Sequence, residues 1–85
     1  HLGNCIIKDK SLPGYGDQHP RFGIKGGENG VKEVRDFLRA LFDVGFFDSQ
    51  DKPIVSFEVK PLPGENPRAV IANAKRTLIE AWAEL

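Results

Sequence analysis

Ile54-Val55-Ser56-Phe57-Glu58-Val59-Lys60 is the stretch on which the fold turns. In an extended chain, Val55, Phe57 and Val59 share one face, while Ile54, Ser56, Glu58 and Lys60 share the other. Pro53 precedes the run, and Pro61, Pro63 and Gly64 break the chain after it. The run therefore predicts a strand with an apolar face to bury and a carboxylate near its C-terminal end.

Beyond the breakers, Pro67 to about Glu84 predicts a helix, with Asn66 as its N-cap and Pro67 at its first position. Its apolar stripe is Val70, Ile71, Ala74, Leu78, Trp82 and Leu85. On the other side of the central strand lies a polar turn, Asp48-Ser49-Gln50-Asp51-Lys52-Pro53. Before that turn, Val31, Val34, Phe37, Leu38, Leu41 and Phe42 keep helical spacing over about Gly30 to Val44. Asn29 is the expected N-cap of this helix, and Gly45 supplies its stop. Lys32, Glu33, Arg35, Asp36 and Arg39 make its wet face.

Residues 2–7 are too short and too apolar for a helix, and Ile6 and Ile7 are β-branched, so they predict a buried strand. From Lys8 to Asn29 five glycines and two prolines predict a loop. At about 22 residues it is far longer than an ordinary βα connection, and loops of that length tend to be functional.

The order is then strand, loop, helix, strand, loop, helix, which implies a parallel pair joined by a right-handed crossover. Two such units leave a parallel sheet with exposed edges and one open face, so the unit wants neighbours. The chain also opens on His1 and runs straight into an apolar stretch, as though cut inside a strand, whereas Trp82 and Leu85 close the last helix in an ordinary way. The expectation is an α/β fold in which residues 1–85 are the C-terminal β-α-β-α part of a single (β/α)8 TIM barrel.

Composition excludes several classes. Lys+Arg and Asp+Glu balance at 12 each, so no field favours nucleic acid or an anionic membrane. No apolar run reaches the ~20 residues that span a bilayer. The single cysteine, Cys5, permits no internal disulfide and fits the reducing cytoplasm; it reads as a small core residue.

Five residues carry chemistry. If Val55, Phe57 and Val59 face the helices, Glu58 points into the barrel near the top of its strand, where catalytic residues of this fold sit. A carboxylate there needs a metal, a cationic partner or a proton. The alternative is a surface strand with Glu58 solvated or paired with Lys60. His1 is its natural companion if it shares the interior face with Gly3 and Cys5; otherwise it is a solvated terminal residue. Imidazole with carboxylate suits Mn²⁺, Co²⁺, Zn²⁺ or Fe²⁺. In the loop, Asp17-Gln18-His19-Pro20-Arg21-Phe22-Gly23 offers His19 for proton transfer or metal binding and Arg21 for substrate oxygens. The plain alternative there is an Asp17–Arg21 surface pair. Gly26-Gly27-Glu28-Asn29-Gly30 lacks the ending of a P-loop and reads as a turn and cap.

These stretches, with His1-Leu2-Gly3-Asn4-Cys5, Val55 to Pro61 and the ending from Val70 through Trp82, resemble the C-terminal part of sugar phosphate isomerase/epimerase-like proteins of the xylose-isomerase-like barrel superfamily. The resemblance covers nearly all 85 residues but about a third of a typical ~250-residue barrel. It implies a divalent metal (Mn, Mg, Co or Zn) held by His1 and Glu58 with ligands from other strands, and Glu58 and His19 as the catalytic pair. Arg21 and Asp17 would meet a small sugar substrate. The implied reaction moves a proton next to a carbonyl through a metal-stabilised enediolate. The implied partners are the remaining strands of the same barrel, with homo-oligomeric assembly left open and neither nucleic acid nor membrane. The piece alone would be inactive. Two rivals share the barrel, a polyol dehydratase and a zinc endonuclease, and a third is a small noncatalytic α/β interaction module complete as given.

Overall fold

Val55, Phe57 and Val59 do turn inward. In the computed structural model, which describes residues 1–48 and 53–85, these three pack against a core formed by Leu2, Phe22, Val34, Leu38, Ala74 and Ala81. Ile54, Glu58 and Lys60 are exposed. The alternation read from the sequence thus sets the two faces of the sheet. The turn assigned to residues 48–53 falls largely on 49–52, outside the described residues.

The elements follow in the order β1 (Leu2–Gly3), α1 (Val31–Asp43), a single 3-10 turn (Phe46–Asp48), β2 (Phe57–Glu58) and α2 (Pro67–Ala83). β1 and β2 pair in parallel, with Leu2 opposite Phe57 and Gly3 opposite Glu58. Leu2 N–H extends the ladder by donating to Ser56 O at 2.7 Å. The fold is therefore mixed α/β, and the predicted parallel pairing is present. Both regular strands are far shorter than the runs 2–7 and 54–60 that sequence pattern assigned. After Gly3 the chain leaves the sheet because Asn4 turns its side chain inward, and Ile6 makes only isolated bridges to Tyr15 and Gly16.

α1 starts one residue later than expected. Gly30, not Asn29, is its N-cap: Gly30 N–H donates to Glu33 Oε1 at 3.0 Å, half of a capping box, glycine having no side chain to return the bond. Asn29 is diverted, its side-chain amide donating to Gly3 O at 2.8 Å. At the other end the expected stop holds. Gly45 has φ of 76°, a left-handed conformation that a glycine adopts cheaply, and its N–H donates to Phe42 O. α2 is capped as read, with Arg68 N–H and Ala69 N–H both donating to Asn66 Oδ1.

The expected stripe of α2 holds at Val70, Ala74, Leu78 and Leu85, which are buried or pack against the core, and departs from the reading at two positions. Val70, Ala74, Thr77 and Ala81 are buried, whereas Ile71 and Trp82 are half exposed. Small residues win the core-facing positions because α1 packs closely against α2, and Thr77 satisfies its hydroxyl by donating to Asn73 O at 2.8 Å. Trp82 instead joins a surface cluster with Phe42 and Phe47, ring centroids 5.5 and 5.7 Å away, which ties together the C-terminal ends of the two helices. At the sheet, Phe22 meets Phe57 edge-to-face at 5.5 Å and anchors the long loop to β2.

Both helices lie on the Leu2/Phe57 side of the sheet. No element among the described residues covers the opposite side, where the strand positions are His1, Gly3, Ser56 and Glu58 and where the loop 8–29 approaches.

Candidate functional site

The site is built at the carboxyl ends of β1 and β2, by the loops that leave them. Its geometry begins with Asn4, which is 1% exposed and whose side-chain oxygen and nitrogen both have hydrogen-bond partners. Its Oδ1 accepts from Cys5 N–H at 2.9 Å and Asn29 N–H at 2.8 Å, and its Nδ2 donates to Arg21 O at 2.9 Å. One side chain thus joins the start, middle and end of the long loop. A buried amide bonded to three backbone groups in this way holds them in place, since moving any of them away would leave a buried polar group unpaired.

Held by that bracket, the stretch 17–22 passes the carboxyl end of β2, with Phe22 turned into the core on the helix side. His19 O accepts from Lys60 N–H at 2.8 Å, docking the loop on the end of β2. His19 has φ of 50°, a left-handed backbone outside glycine, and it precedes the buried Pro20. Such conformations cost about 1–3 kcal/mol and persist where surrounding contacts over-determine them. Here the result is that His19 Nε2 lies 2.9 Å from Asp17 Oδ1 and 3.9 Å from Glu58 Oε1. Gly3 makes room for the ring: a Cβ on it would sit 3.2 Å from His19 Nδ1 and 3.2 Å from Glu58 O.

The structure therefore brings together three of the residues picked from sequence, Asp17, His19 and Glu58. His1 lies one pleat repeat before Gly3, roughly 6.6 Å along the strand, and its Nδ1 is 2.5 Å from Ser56 Oγ. Arg21 turns away from Asp17 toward Glu65, whose Oε2 accepts from Arg21 Nη1. The surface pair Asp17–Arg21 is replaced by the pairs Asp17–His19 and Arg21–Glu65. Glu58 pairs with His19, and its side chain is 58% exposed in this chain. Cys5 is partly buried and free.

Imidazole and carboxylate donors of this kind match first-row divalent cations. Among the described residues no group of three or more His, Cys, Asp or Glu is arranged to hold a metal, so the His19/Glu58 pair and His1 would need further ligands to complete a coordination sphere. No helix among the described residues is long and apolar enough to cross a membrane.

Two site residues escaped the sequence reading. Asn4 lies inside an apolar run, and nothing in its spacing marks it as a bracket. Glu65 sits beside Pro63-Gly64, where turn chemistry masks its role. Comparison with protein-family models, with curated proteins and with solved structures returned no match for this chain.

Proposed function

We propose that this βαβα unit is part of a (β/α)8 barrel enzyme, a divalent-metal-dependent sugar or sugar phosphate isomerase or epimerase. The observation that carries the reading is the His19–Glu58 pair, set at the carboxyl end of a parallel strand pair, on the face opposite the helices. In barrels that face lines the interior, and catalytic groups come from the ends of its strands. The short sheet supports the architecture on independent grounds. Among the described residues the two-stranded parallel sheet has both edges unpaired and one face open, and further βα units on either side would cover it.

Proton transfer beside a carbonyl needs a base within reach of the C–H and donors aimed at the oxygens. Glu58 is the base that takes and returns the proton. His19, its ring steadied by Asp17, is the group that serves the neighbouring oxygen. Arg21 places N–H groups toward substrate hydroxyls from the loop edge. His1 and Glu58 would hold the divalent ion together with donors from other strands; when bound, such an ion supplies Lewis acidity toward adjacent carbonyl and hydroxyl oxygens. The polyol dehydratase and zinc endonuclease alternatives use the same face, and the balanced charge of the chain, 12 basic against 12 acidic residues, weighs against a DNA substrate.

The test is Glu58→Gln in the full-length protein, assayed for metal-dependent interconversion of aldose and ketose or of epimers. The substitution keeps size and removes the base, so kcat should fall by about 10²-fold or more. Near-normal turnover would remove Glu58 from the mechanism. Absence of any sugar activity in the unaltered protein would favour the noncatalytic α/β module.

A further inference from the structure

The guanidinium at the edge of this site is already occupied. Arg21 Nη1 donates to Glu65 Oε2, while Leu62 N–H donates to Glu65 Oε1 at 2.8 Å, so both carboxylate oxygens are engaged. Glu65 is held as well as holding. Its own N–H donates to Leu62 O at 3.0 Å, closing a turn in which Gly64 has φ of 84°. The Glu65 side chain is 21% exposed and that of Arg21 42%, a partly desolvated pair. On the same ends of the strands lie two further carboxylates, Asp17 and Glu58, against the cation of Lys60, which follows Glu58 on the same strand face. With His19 neutral, the cluster is therefore net negative once Arg21 has been neutralised by Glu65.

Resting on the sugar-isomerase reading, we propose that Glu65 sets substrate class, and that the site takes an uncharged aldose or ketose in preference to its phosphate monoester. A phosphate monoester carries about −1.5 to −2 charges near neutral pH and is best met by a guanidinium offering two parallel N–H donors. Arg21 can offer that fork only by leaving Glu65, which would deprive a partly buried carboxylate of its cationic partner. A neutral hydroxyl makes no such demand, because the N–H groups of Arg21 that Glu65 leaves over can donate to it with the ion pair intact. Glu65 acts through Arg21 and is a positioning residue. Its effect is on discrimination between substrates.

The experiment uses the full-length protein with added divalent cation in D2O. NMR follows deuterium incorporation next to the carbonyl for matched pairs of free ketoses and their monophosphates. The expected result is a kcat/KM for the free sugar at least tenfold above that for its ester. Glu65→Gln keeps an acceptor for Leu62 N–H and releases Arg21, and should move the ester-to-sugar ratio of kcat/KM upward by about tenfold. The wild-type ratio decides the matter even if the variant fails to fold. A wild-type preference for the ester overturns the assignment while leaving the isomerase reading intact, as does an unchanged ratio in a folded Glu65→Gln protein. Exchange with neither compound overturns the isomerase reading and this inference with it.

Discussion

Replacing Asn4 with alanine should cost the protein more than the loss of any other single polar side chain in the loop. Asn4 is 1% exposed, and its amide serves three backbone groups: Cys5 N–H, Asn29 N–H and Arg21 O. Cys5 is the neighbouring residue and can adjust locally, but Asn29 N–H and Arg21 O belong to segments held by other contacts. Leaving each of those two groups without a partner costs about 1–3 kcal/mol. The expected loss is therefore about 3 kcal/mol, a large share of the ~5–15 kcal/mol that a domain has in hand. Urea denaturation measures the total, and amide exchange resolved by residue locates it, with Asn29 losing protection first. Asn4→Asp is the informative companion, because it keeps both acceptor bonds and turns a carboxylate oxygen toward Arg21 O. It should be at least as damaging as alanine, since a buried charge meets a carbonyl in place of a donor. A loss under about 1 kcal/mol for Asn4→Ala, with Asn29 protection unchanged, would mean that the bracket does not hold the loop.

Gly27→Ala should destabilise by about 1–3 kcal/mol in the same denaturation assay. Its φ is not left-handed; the cause is steric, a Cβ falling 2.6 Å from Asn4 Nδ2 and 2.9 Å from Ile24 Cγ2. Asp9 titrates below the ordinary aspartate range, because the Ser11 hydroxyl and then the Ser11 N–H donate to its carboxylate. A folded-state value depressed in this way gives a contribution present above the unfolded value and lost as pH falls through the folded one. Ser11→Ala should move the Asp9 midpoint upward toward the ordinary range in an NMR titration.

Much of the architecture was legible because it rests on periodicity. The alternation at Val55, Phe57 and Val59 fixed which side of β2 meets the helices, and capping chemistry located the start of α2 and the end of α1. The misreadings share a cause, competition among tertiary partners for the same polar group. Asn29 has the right chemistry to cap α1, yet Gly3 O and the Asn4 side chain claim it, and Glu33 closes the cap on Gly30 instead. On α2 the expected stripe holds at Val70, Ala74, Leu78 and Leu85, but Thr77 and Ala81 are buried while Ile71 and Trp82 stay half exposed, because the closeness of α1 rewards small residues. At the site, Asp17, His19 and Glu58 were nameable from residue type and position. Their mutual distances depend on the left-handed turn at His19, which the spacing of residues in the loop does not mark.

The loop of residues 8–29 deserves to be read as an element in its own right. A connection of that length would normally carry a large ordering entropy. Here Ile6 is fully buried beneath it, Phe22 stacks edge-on against Phe57, and Asn4 supplies a polar centre where a strand would supply a ladder. The Asn73 side-chain amide adds a tie from α2 by donating to Phe22 O at 3.1 Å. These contacts come from β1, β2 and α2, so the loop is ordered by the sheet end and by the final helix together. That arrangement explains why His19 and Arg21 can lie near the strand ends while their backbone departs from regular structure. It also makes loop order sensitive to α2: Asn73→Ala should raise amide exchange at residues 19–23 while leaving α1 unchanged. Equal loosening of α1 would show that α2 supports the whole core and has no particular hold on the loop.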